Sequence, residues 1–231
     1  MRHRHSLWQC EAMWDNRVLF EDGEALVIDK PAGLAVHPGP KTPESLEHYL
    51  GQMRFGFQRK PSLVHRLDRD TSGCLLLARN PKAHKRFALA FEEGRVAKSY
   101  LAVLEGAPEA ESGTIDLPLH KISSREAGWR MVHDAERGKP AVTHWRVVAQ
   151  AGTRTMLLMT PETGRTHQLR VHAAEGLKLP ICGDPVYGNG RGPMLLHARS
   201  LHLERANKDP IAATAPLPPT FLQAGFEDGE F

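Results

Sequence analysis

The chain has few cysteines, no long apolar run and no cysteine pair with zinc spacing, and each absence excludes a class of protein. Of its 231 residues only Cys10, Cys74 and Cys182 are cysteine, and they lie far apart. A disulfide-stapled scaffold or a structural zinc site needs more or closer cysteines. No apolar run approaches the roughly 20 residues of a membrane helix, and the polar N-terminus lacks a signal-peptide core. We therefore expect a cytoplasmic protein without membrane contact and with reduced thiols.

Charge is distributed unevenly along the chain. The formal net charge is +3, but residues 54–98 hold 11 Lys and Arg against 4 Asp and Glu, and the remainder nets −4. A basic block of this kind indicates an anionic partner, with nucleic acid as the leading candidate. A solvated surface would give the same count, and this alternative stays open for Lys82, Lys85 and Arg86 in particular.

Apolar residues recur with the periods of short strands and short helices, and no repeat or clean linker interrupts them. We expect a loose N-terminal arm over residues 1–16, a single domain of two lobes over 17–220 and an acidic tail over 221–231. Strands are predicted as a pair within 18–34 and at 74–78, 96–104, 141–148, 155–159 and 194–203. Helices are predicted after the N-caps Thr42, Asn80 and Thr166, the last two ending at Gly94 and Gly176.

The segment from Pro61 to Arg79 concentrates the chemistry of the chain. It places the carboxylate of Asp68 in a turn of cations and hydroxyls that runs directly into the apolar strand predicted at 74–78. A carboxylate surrounded by positive charge stays ionised at neutral pH, and Gly73 allows a backbone conformation with positive φ. An ordinary charged surface turn is the simpler explanation for three or four such residues. The flanking groups are His65, Arg66, Arg69, Thr71 and Ser72.

The string His65-Arg66-Leu67-Asp68-x-x-Thr71-Ser72-Gly73 resembles the signature of the RluA family of RNA pseudouridine synthases, in which the Asp is the catalytic nucleophile. Further segments are similar to the family's other motifs, in the family's order. They are Val27–Leu34, Lys98–Tyr100, Gly164–Arg170, Gly183–Gly188 and Leu195–Ala198. Many relatives carry an N-terminal S4-type RNA-binding domain, whereas here about sixteen residues precede the matching region, so the chain resembles the short members.

This resemblance implies an α+β protein with the pseudouridine synthase fold, a mixed and mostly antiparallel sheet with flanking helices and a central active-site cleft. It implies an isomerase that converts specific uridines of ribosomal or transfer RNA to pseudouridine. The reaction consumes no electrons, phosphate or water, so we expect neither a cofactor nor a metal. Short relatives often act alone, and a monomer is expected.

The resemblance also assigns roles to residues. Asp68 would be the nucleophile, Arg165 would pair with it, and Tyr100 would stack on the target uracil, which must first flip out of the RNA stack. For Tyr100 and Leu169 an ordinary core position is the alternative, and His167 and His172 are expected to be structural. Candidate substrate-binding residues are His65, Arg66, Thr71, Lys98 and Leu169.

Two rival functions fit parts of the sequence. A glycoside hydrolase would use Asp68 with a second carboxylate such as Asp70 or Asp184, and would need a route for water. A catalytically silent RNA-binding module would need none of the acidic residues. Chemistry-bearing residues in all three principal motifs argue against the silent module. Whether Asp68 attacks the ribose, the uracil ring or acts in a glycal route stays open at this point.

Overall fold

Short strands account for most of the regular structure in the computed structural model, which describes residues 11–39, 42, 44–124, 128–229 and 231. The helices are α1 (Glu11–Asp15), α2 (Pro81–Glu92), α3 (Gln168–Val171) and α4 (Pro219–Gln223). None of the helices within these ranges has the length and apolarity needed to cross a bilayer. The strands are β1 (Val18–Glu21), β2 (Ala25–Lys30), β3 (Ser62–Leu63), β4 (Ser72–Ala78), β5 (Ala97–Glu105), β6 (Ser112–Asp116), β7 (Leu119–Ser124), β8 (Gly128–His133), β9 (Val142–Ala151), β10 (Arg154–Pro161), β11 (Leu196–Arg205) and β12 (Lys208–Thr214).

The chain divides into two compact units. The first contains the described residues up to Val96 together with Leu201–Ala215, and the second contains Ala97–Ser200 together with the described residues from Pro216 onward. Strand β11 therefore begins in the second unit and ends in the first. Each unit has its own apolar core.

In the first unit, β2 lies antiparallel to both β1 and β4, and β3 pairs with the other edge of β4. Every residue of β4 is buried, which confirms the prediction of a strand covered on both faces. Helix α2 is also confirmed: the Asn80 side chain accepts a hydrogen bond from the Ala83 amide at 2.9 Å, and Gly94 follows the helix with a φ of +70°. The buried stripe of this helix packs on the core through Ala83, Phe87 and Ala90.

The helix predicted after Thr42 is wrong in type and in starting point. Thr42 forms an isolated bridge with Gly39, Pro43 lies outside the described residues, and two short 3₁₀ turns follow at Leu46–His48 and Leu50–Met53. Ser45 is the residue that begins the first turn. Leu46, Tyr49, Leu50 and Met53, which fall at helical spacing in the sequence, are all buried, because the tighter 3₁₀ turns still place them against the unit.

In the second unit, β5, β10, β9 and β6 form an antiparallel series in that order, and β7 and β8 form a separate hairpin. The predicted pairing of the 141–148 and 155–159 segments is confirmed as β9 and β10. The two faces of β5 enter different core clusters as alternation requires, with Ala102 and Leu104 in one and Leu101 and Val103 in the other.

The helix expected from Thr166 begins two residues later. His167 has a left-handed backbone with a φ of +53° and stands where an N-cap would stand, α3 follows for four residues, and a π-helical turn covers His172–Gly176. A sequence period cannot show this change from α to π geometry, because both place Leu169, His172 and Ala173 inward. The predicted end at Gly176 is confirmed.

Both ends of the described chain are packed more closely than the sequence indicated. Trp14 in α1 is fully buried and its indole nitrogen donates to Gln52 Oε1 at 3.1 Å, so the described part of the predicted arm is not loose. In the predicted acidic tail, Phe221 and Phe226 are buried, and Asp228 lies 2.7 Å from the guanidinium of Arg199. These aromatic anchors hold the tail against the second unit despite its acidic composition. Residues 1–10 lie outside the described part.

Candidate active site

Asp68 lies in the first unit, in the loop between β3 and β4, and its side chain is half-buried. The loop closes on itself through a hydrogen bond from the Thr71 amide to the Asp68 carbonyl at 3.2 Å. Gly73, the second residue of β4, has a φ of +104°, a conformation that side chains rarely adopt. The turn, the glycine and the buried strand together fix the backbone on the C-terminal side of the carboxylate.

A fully buried lysine holds the same loop at Arg69, the residue that follows Asp68. Lys30 ends β2, and its Nζ donates to the carbonyls of Pro31 at 2.7 Å, Leu34 at 2.8 Å and Arg69 at 3.1 Å. Three carbonyl acceptors match the three protons of an ammonium group. Burial lowers the pKa of Lys30 to about 7, while the charges of Asp70, Asp68 and Asp29 oppose that shift. Lys30 therefore ties the Asp68 loop to the 30–34 turn.

Lys30 lies in the Val27–Leu34 motif, but no role for it could be predicted from the motif alone. The signal is a lysine at the end of an otherwise apolar strand, followed at once by a Pro-Ala-Gly turn. A lysine in that position must either reach solvent or find several acceptors. A second contact, from the Gly33 amide to the Arg69 carbonyl at 2.9 Å, joins the same two segments.

The residues around Asp68 divide into buried and exposed groups. His65 Nε2 accepts from the Leu76 amide at 2.9 Å, and its ring stacks on Phe91 with centroids 4.2 Å apart. Thr71 is buried beneath the turn. These contacts favour a scaffold role for His65 and Thr71 over direct substrate contact. Arg66, by contrast, is exposed.

Tyr100 and Lys98 lie in the second unit, on the same face of β5. Tyr100 is half-buried, pairs in register with Met159 of β10 and packs at the edge of the core cluster that contains Leu169. Lys98 is also half-buried, and burial lowers its pKa. Leu169 is almost fully covered, so its observed contacts are those of a core residue.

Arg165 is exposed at the start of the segment that leads into α3. Its Nε donates to the Pro140 carbonyl at 3.0 Å, and its backbone amide donates to Gln168 Oε1 at the same distance. Gln168 is the buried anchor of this segment, since its amide nitrogen also donates to Val142 O and Thr143 Oγ1, each at 3.0 Å. The sequence analysis missed Gln168, because a glutamine carries no charge pattern that would single it out.

A buried ion pair in the second unit anchors α3. Arg170 Nε and Nη2 donate to the two carboxylate oxygens of Asp184 at 2.7 and 2.8 Å, and Asp184 is fully buried. The amides of Val186 and Tyr187 also donate to Asp184, at 2.8 and 3.0 Å. Burial acts to raise the pKa of Asp184, but Arg170 and the two amides outweigh it, so the pKa is lowered.

The surroundings of the other carboxylates weaken the glycoside hydrolase alternative. Asp184 is held on both oxygens inside the protein, and Asp70 is paired through both of its oxygens with its neighbour Arg69, at 3.0 and 3.1 Å. The buried pairing of Asp184 prevents it from acting as the second acid that hydrolysis needs, whereas the partly exposed pair of Asp70 with Arg69 only disfavours that role for Asp70.

His172 is structural, as expected. Its ring is buried and bonded on both nitrogens, to Thr143 Oγ1 at 2.9 Å and to the Leu117 carbonyl at 3.1 Å. Burial lowers the pKa of His172, so the ring is neutral at neutral pH. His167 Nδ1 lies 2.9 Å from the Tyr187 hydroxyl, which also accepts from the Met131 amide at 3.0 Å.

Comparison with known proteins gives the context of these sites. The model of the RNA pseudouridylate synthase family matches residues 24–175. An uncharacterised RNA pseudouridine synthase of Zymomonas mobilis subsp. mobilis is 58% identical over 214 residues, covering 91% of this chain and 97% of that protein. The ribosomal large subunit pseudouridine synthase D of Xanthomonas campestris pv. campestris is 39% identical over 227 residues, covering 87% of this chain and 66% of that protein.

Two solved human structures share the fold. The human RNA pseudouridylate synthase domain containing 4 protein superimposes with a TM-score of 0.79 at 24% identity, covering 93% of each chain. The human RNA pseudouridylate synthase domain containing 1 protein gives a TM-score of 0.72 at 29% identity, covering 87% of this chain and 82% of the other. These superpositions confirm the predicted α+β class with a mostly antiparallel sheet.

Proposed function

The chain belongs to the RNA pseudouridylate synthase family of enzymes, and from this premise we propose that it isomerises specific uridines of ribosomal or transfer RNA, with Asp68 as the nucleophile. Two relatives support the RNA class. The protein from Xanthomonas campestris is named for the large ribosomal subunit, and so is a synthase D of Zymomonas mobilis that is 35% identical over 195 residues. This chain spans 66% and 61% of those two proteins.

The nucleophile assignment rests on the contacts that hold the Asp68 loop in place. A carboxylate can form a covalent intermediate when it is ionised and positioned. Asp68 is half-buried in a loop that Lys30 fixes through its bond to the Arg69 carbonyl, next to the residue that must react. These contacts support the second condition, because they position the carboxylate at the entrance to a buried strand.

Tyr100 and Arg165 complete the proposed site. The half-buried phenol ring of Tyr100 offers a flat face for the uracil and a hydroxyl for proton relay. The bond from Arg165 to Pro140 uses Nε, so the two terminal nitrogens can form the paired bonds that hold a carboxylate. We propose that this carboxylate is Asp68. Lys98 and Arg66 are proposed as contacts to the RNA backbone, because both carry positive charge beside these residues in the sequence.

The chemistry needs no co-reactant. The bond from ribose C1′ to uracil N1 breaks, a bond from C1′ to C5 forms, the C5 hydrogen leaves as a proton and N1 gains one. Because electrons and atoms balance within the nucleotide, the proposal includes neither cofactor nor metal. It holds for attack of Asp68 on the ribose, on the uracil ring, or for a glycal route, and in each case the base must leave the RNA stack. The cytoplasmic location and monomeric state expected from the sequence stay predictions.

Release of the C5 hydrogen tests the proposal directly. With RNA that carries tritium at uracil C5, the wild-type protein should release tritium to water, and Asp68→Asn should lower the rate by about 10³-fold or more. Asp70→Asn is the matched control, since Asp70 lies two residues away and pairs with Arg69, and it should remain close to wild type. A wild-type rate in Asp68→Asn would overturn the assignment. Liberation of free uracil would indicate the hydrolase instead.

A further inference from the structure

The hairpin of β7 and β8 presents an exposed tryptophan that neither the core nor the proposed reaction explains. Trp129 lies near the tip of the hairpin and keeps 46% of its surface open to solvent. In the antiparallel register Ser123 faces Trp129, Lys121 faces Met131 and Leu119 faces His133. Residues opposite each other share a face. Trp129 is therefore on the same face as Leu119 and Met131, which are buried against Val171 and Tyr187.

The face of the hairpin that packs on the core thus extends beyond the core and ends at the exposed indole ring of Trp129. Burying a tryptophan would gain apolar contact area, and Met131, two residues away, is buried on the same face. The exposed ring of Trp129 therefore leaves a large, flat aromatic surface available to a partner.

The neighbours of Trp129 connect it to the segment that carries Arg165. The ring of His167 lies 5.0 Å from the Trp129 ring, centroid to centroid, with planes inclined by 32°. The Tyr187 hydroxyl joins the two elements, because it accepts from the Met131 amide and contacts His167 Nδ1. His167 itself has the left-handed backbone noted above. Such a backbone conformation persists where the surrounding contacts hold the residue in place.

The charge around the ring favours a nucleic-acid partner. The Nζ of Lys121, an exposed lysine on the same face, lies 5.0 Å from the Trp129 ring centroid. Within the two strands of the hairpin, as far as the structure describes them, there is no Asp or Glu. A flat aromatic ring beside a cation is the combination that stacks an unpaired base and contacts its phosphate.

We propose that Trp129 is the stacking platform for an RNA base that flanks the target uridine, with Lys121 turning to the adjacent phosphate. This inference rests on the proposed RNA substrate. It adds a positioning residue to the site, because a flanking base held by Trp129 fixes the RNA relative to the segment that begins at Arg165. Trp129 itself touches no reacting atom.

Tryptophan fluorescence tests the platform without relying on turnover. The chain has four tryptophans, of which Trp14 and Trp145 are buried. Titration with single-stranded RNA should quench part of the emission, and this quench should disappear in Trp129→Phe. An RNA-induced quench that is equal in wild type and Trp129→Phe would overturn the proposal.

Three variants separate stacking from packing. Trp129→Phe keeps a ring and should retain most of the RNA affinity, while Trp129→Leu keeps apolar volume without a ring and should bind about 5- to 150-fold more weakly, as loss of one base stack predicts. Leu89→Ala, which alters another exposed apolar residue far along the chain, is the control and should bind normally. Equal affinity in Trp129→Leu and wild type would contradict the proposal. Thermal melting of each variant shows that the hairpin has folded.

An abasic scan identifies the base that stacks. Single abasic sites placed on either side of the target uridine should weaken binding to the wild type at one position, and that same position should be silent in Trp129→Leu. Unchanged sensitivity at every position in the variant would overturn the inference. If the wild type releases no tritium from C5 yet Trp129 is quenched by RNA, the proposed function fails and the platform stands.

Discussion

At the scale of single residues, the candidate site depends on buried polar and charged side chains, and the sequence pattern identified only some of the residues that matter. Asp68 and Arg165 could be singled out from their motifs. Lys30, Gln168 and the pair of Arg170 with Asp184 could not, because their roles arise from partners distant in the chain or from backbone carbonyls. Sequence spacing gives the residue type but not its acceptors, and for a buried ammonium group the acceptors decide the role.

Replacement of Lys30 should therefore be costly for stability and for catalysis. Lys30→Met removes the donor from three carbonyls that stay buried, and each unsatisfied group costs about 1–3 kcal/mol. We expect the free energy of unfolding in urea to fall by roughly 3 kcal/mol. The rate of tritium release should fall too, because the Asp68 loop loses its tie to the 30–34 turn. Lys60→Met, an exposed lysine of the same unit, should change neither.

Asp184→Asn should destabilise the second unit in a pH-dependent way. Breaking a buried ion pair by removing one partner costs about 3–5 kcal/mol. Since the pKa of Asp184 is lowered on folding, its contribution is fully present above the unfolded pKa of about 4 and is lost as pH falls through the folded pKa.

The measurement is urea unfolding of wild type and Asp184→Asn from pH 7 downward. The difference in unfolding free energy should be largest near neutral pH and should shrink in acid, where the wild-type carboxylate also becomes neutral. Asp209→Asn, at an exposed position, should give a small difference with no such trend. A constant difference across the range would contradict the assigned pair.

At the scale of elements, strongly periodic segments were predictable and their detailed geometry was not. Strand β4 and helix α2 follow directly from an apolar run and from a cap, a proline and a closing glycine. The segment after Thr42 has helical spacing too, yet it forms two 3₁₀ turns, since four apolar residues over eight positions do not distinguish α from 3₁₀ winding. The π turn after α3 escaped prediction for the same reason.

The exposed face of α2 provides a test of the basic block. Lys82 and Lys85 are exposed, whereas Arg86 is already paired with Glu24 at 2.6 Å. If the two lysines contact phosphate, Lys82→Glu with Lys85→Glu should weaken RNA binding and reduce the slope of log affinity against log salt by about 0.7 per contact with single-stranded RNA. Lys208→Glu is the control, because Lys208 also pairs with Glu24. An unchanged slope would assign both lysines to the solvated surface.

At the scale of the whole molecule, the proposed catalytic residues come from distant parts of the chain. Asp68 belongs to the first unit, and Tyr100 and Arg165 belong to the second. The motifs were recognisable one by one, because each is a local string. The pairing of Asp68 with Arg165 joins positions almost a hundred residues apart, and sequence supplies no distance between them. That pairing stays a prediction, and it makes Arg165 the most informative residue to change.

Arg165→Lys keeps the positive charge and removes the planar pair of donors. If Arg165 grips a carboxylate through two parallel hydrogen bonds, the variant should lose about 10²- to 10³-fold in kcat for tritium release while its KM for RNA changes little. Arg146→Lys, an exposed arginine of β9 in the same unit, should behave as wild type. Because the Nε bond to Pro140 lies on the surface, the melting temperature of Arg165→Lys should stay close to that of the wild type. A variant that turns over normally would show that a point charge suffices, and a variant that loses only RNA affinity would move Arg165 from the reacting carboxylate to the RNA backbone.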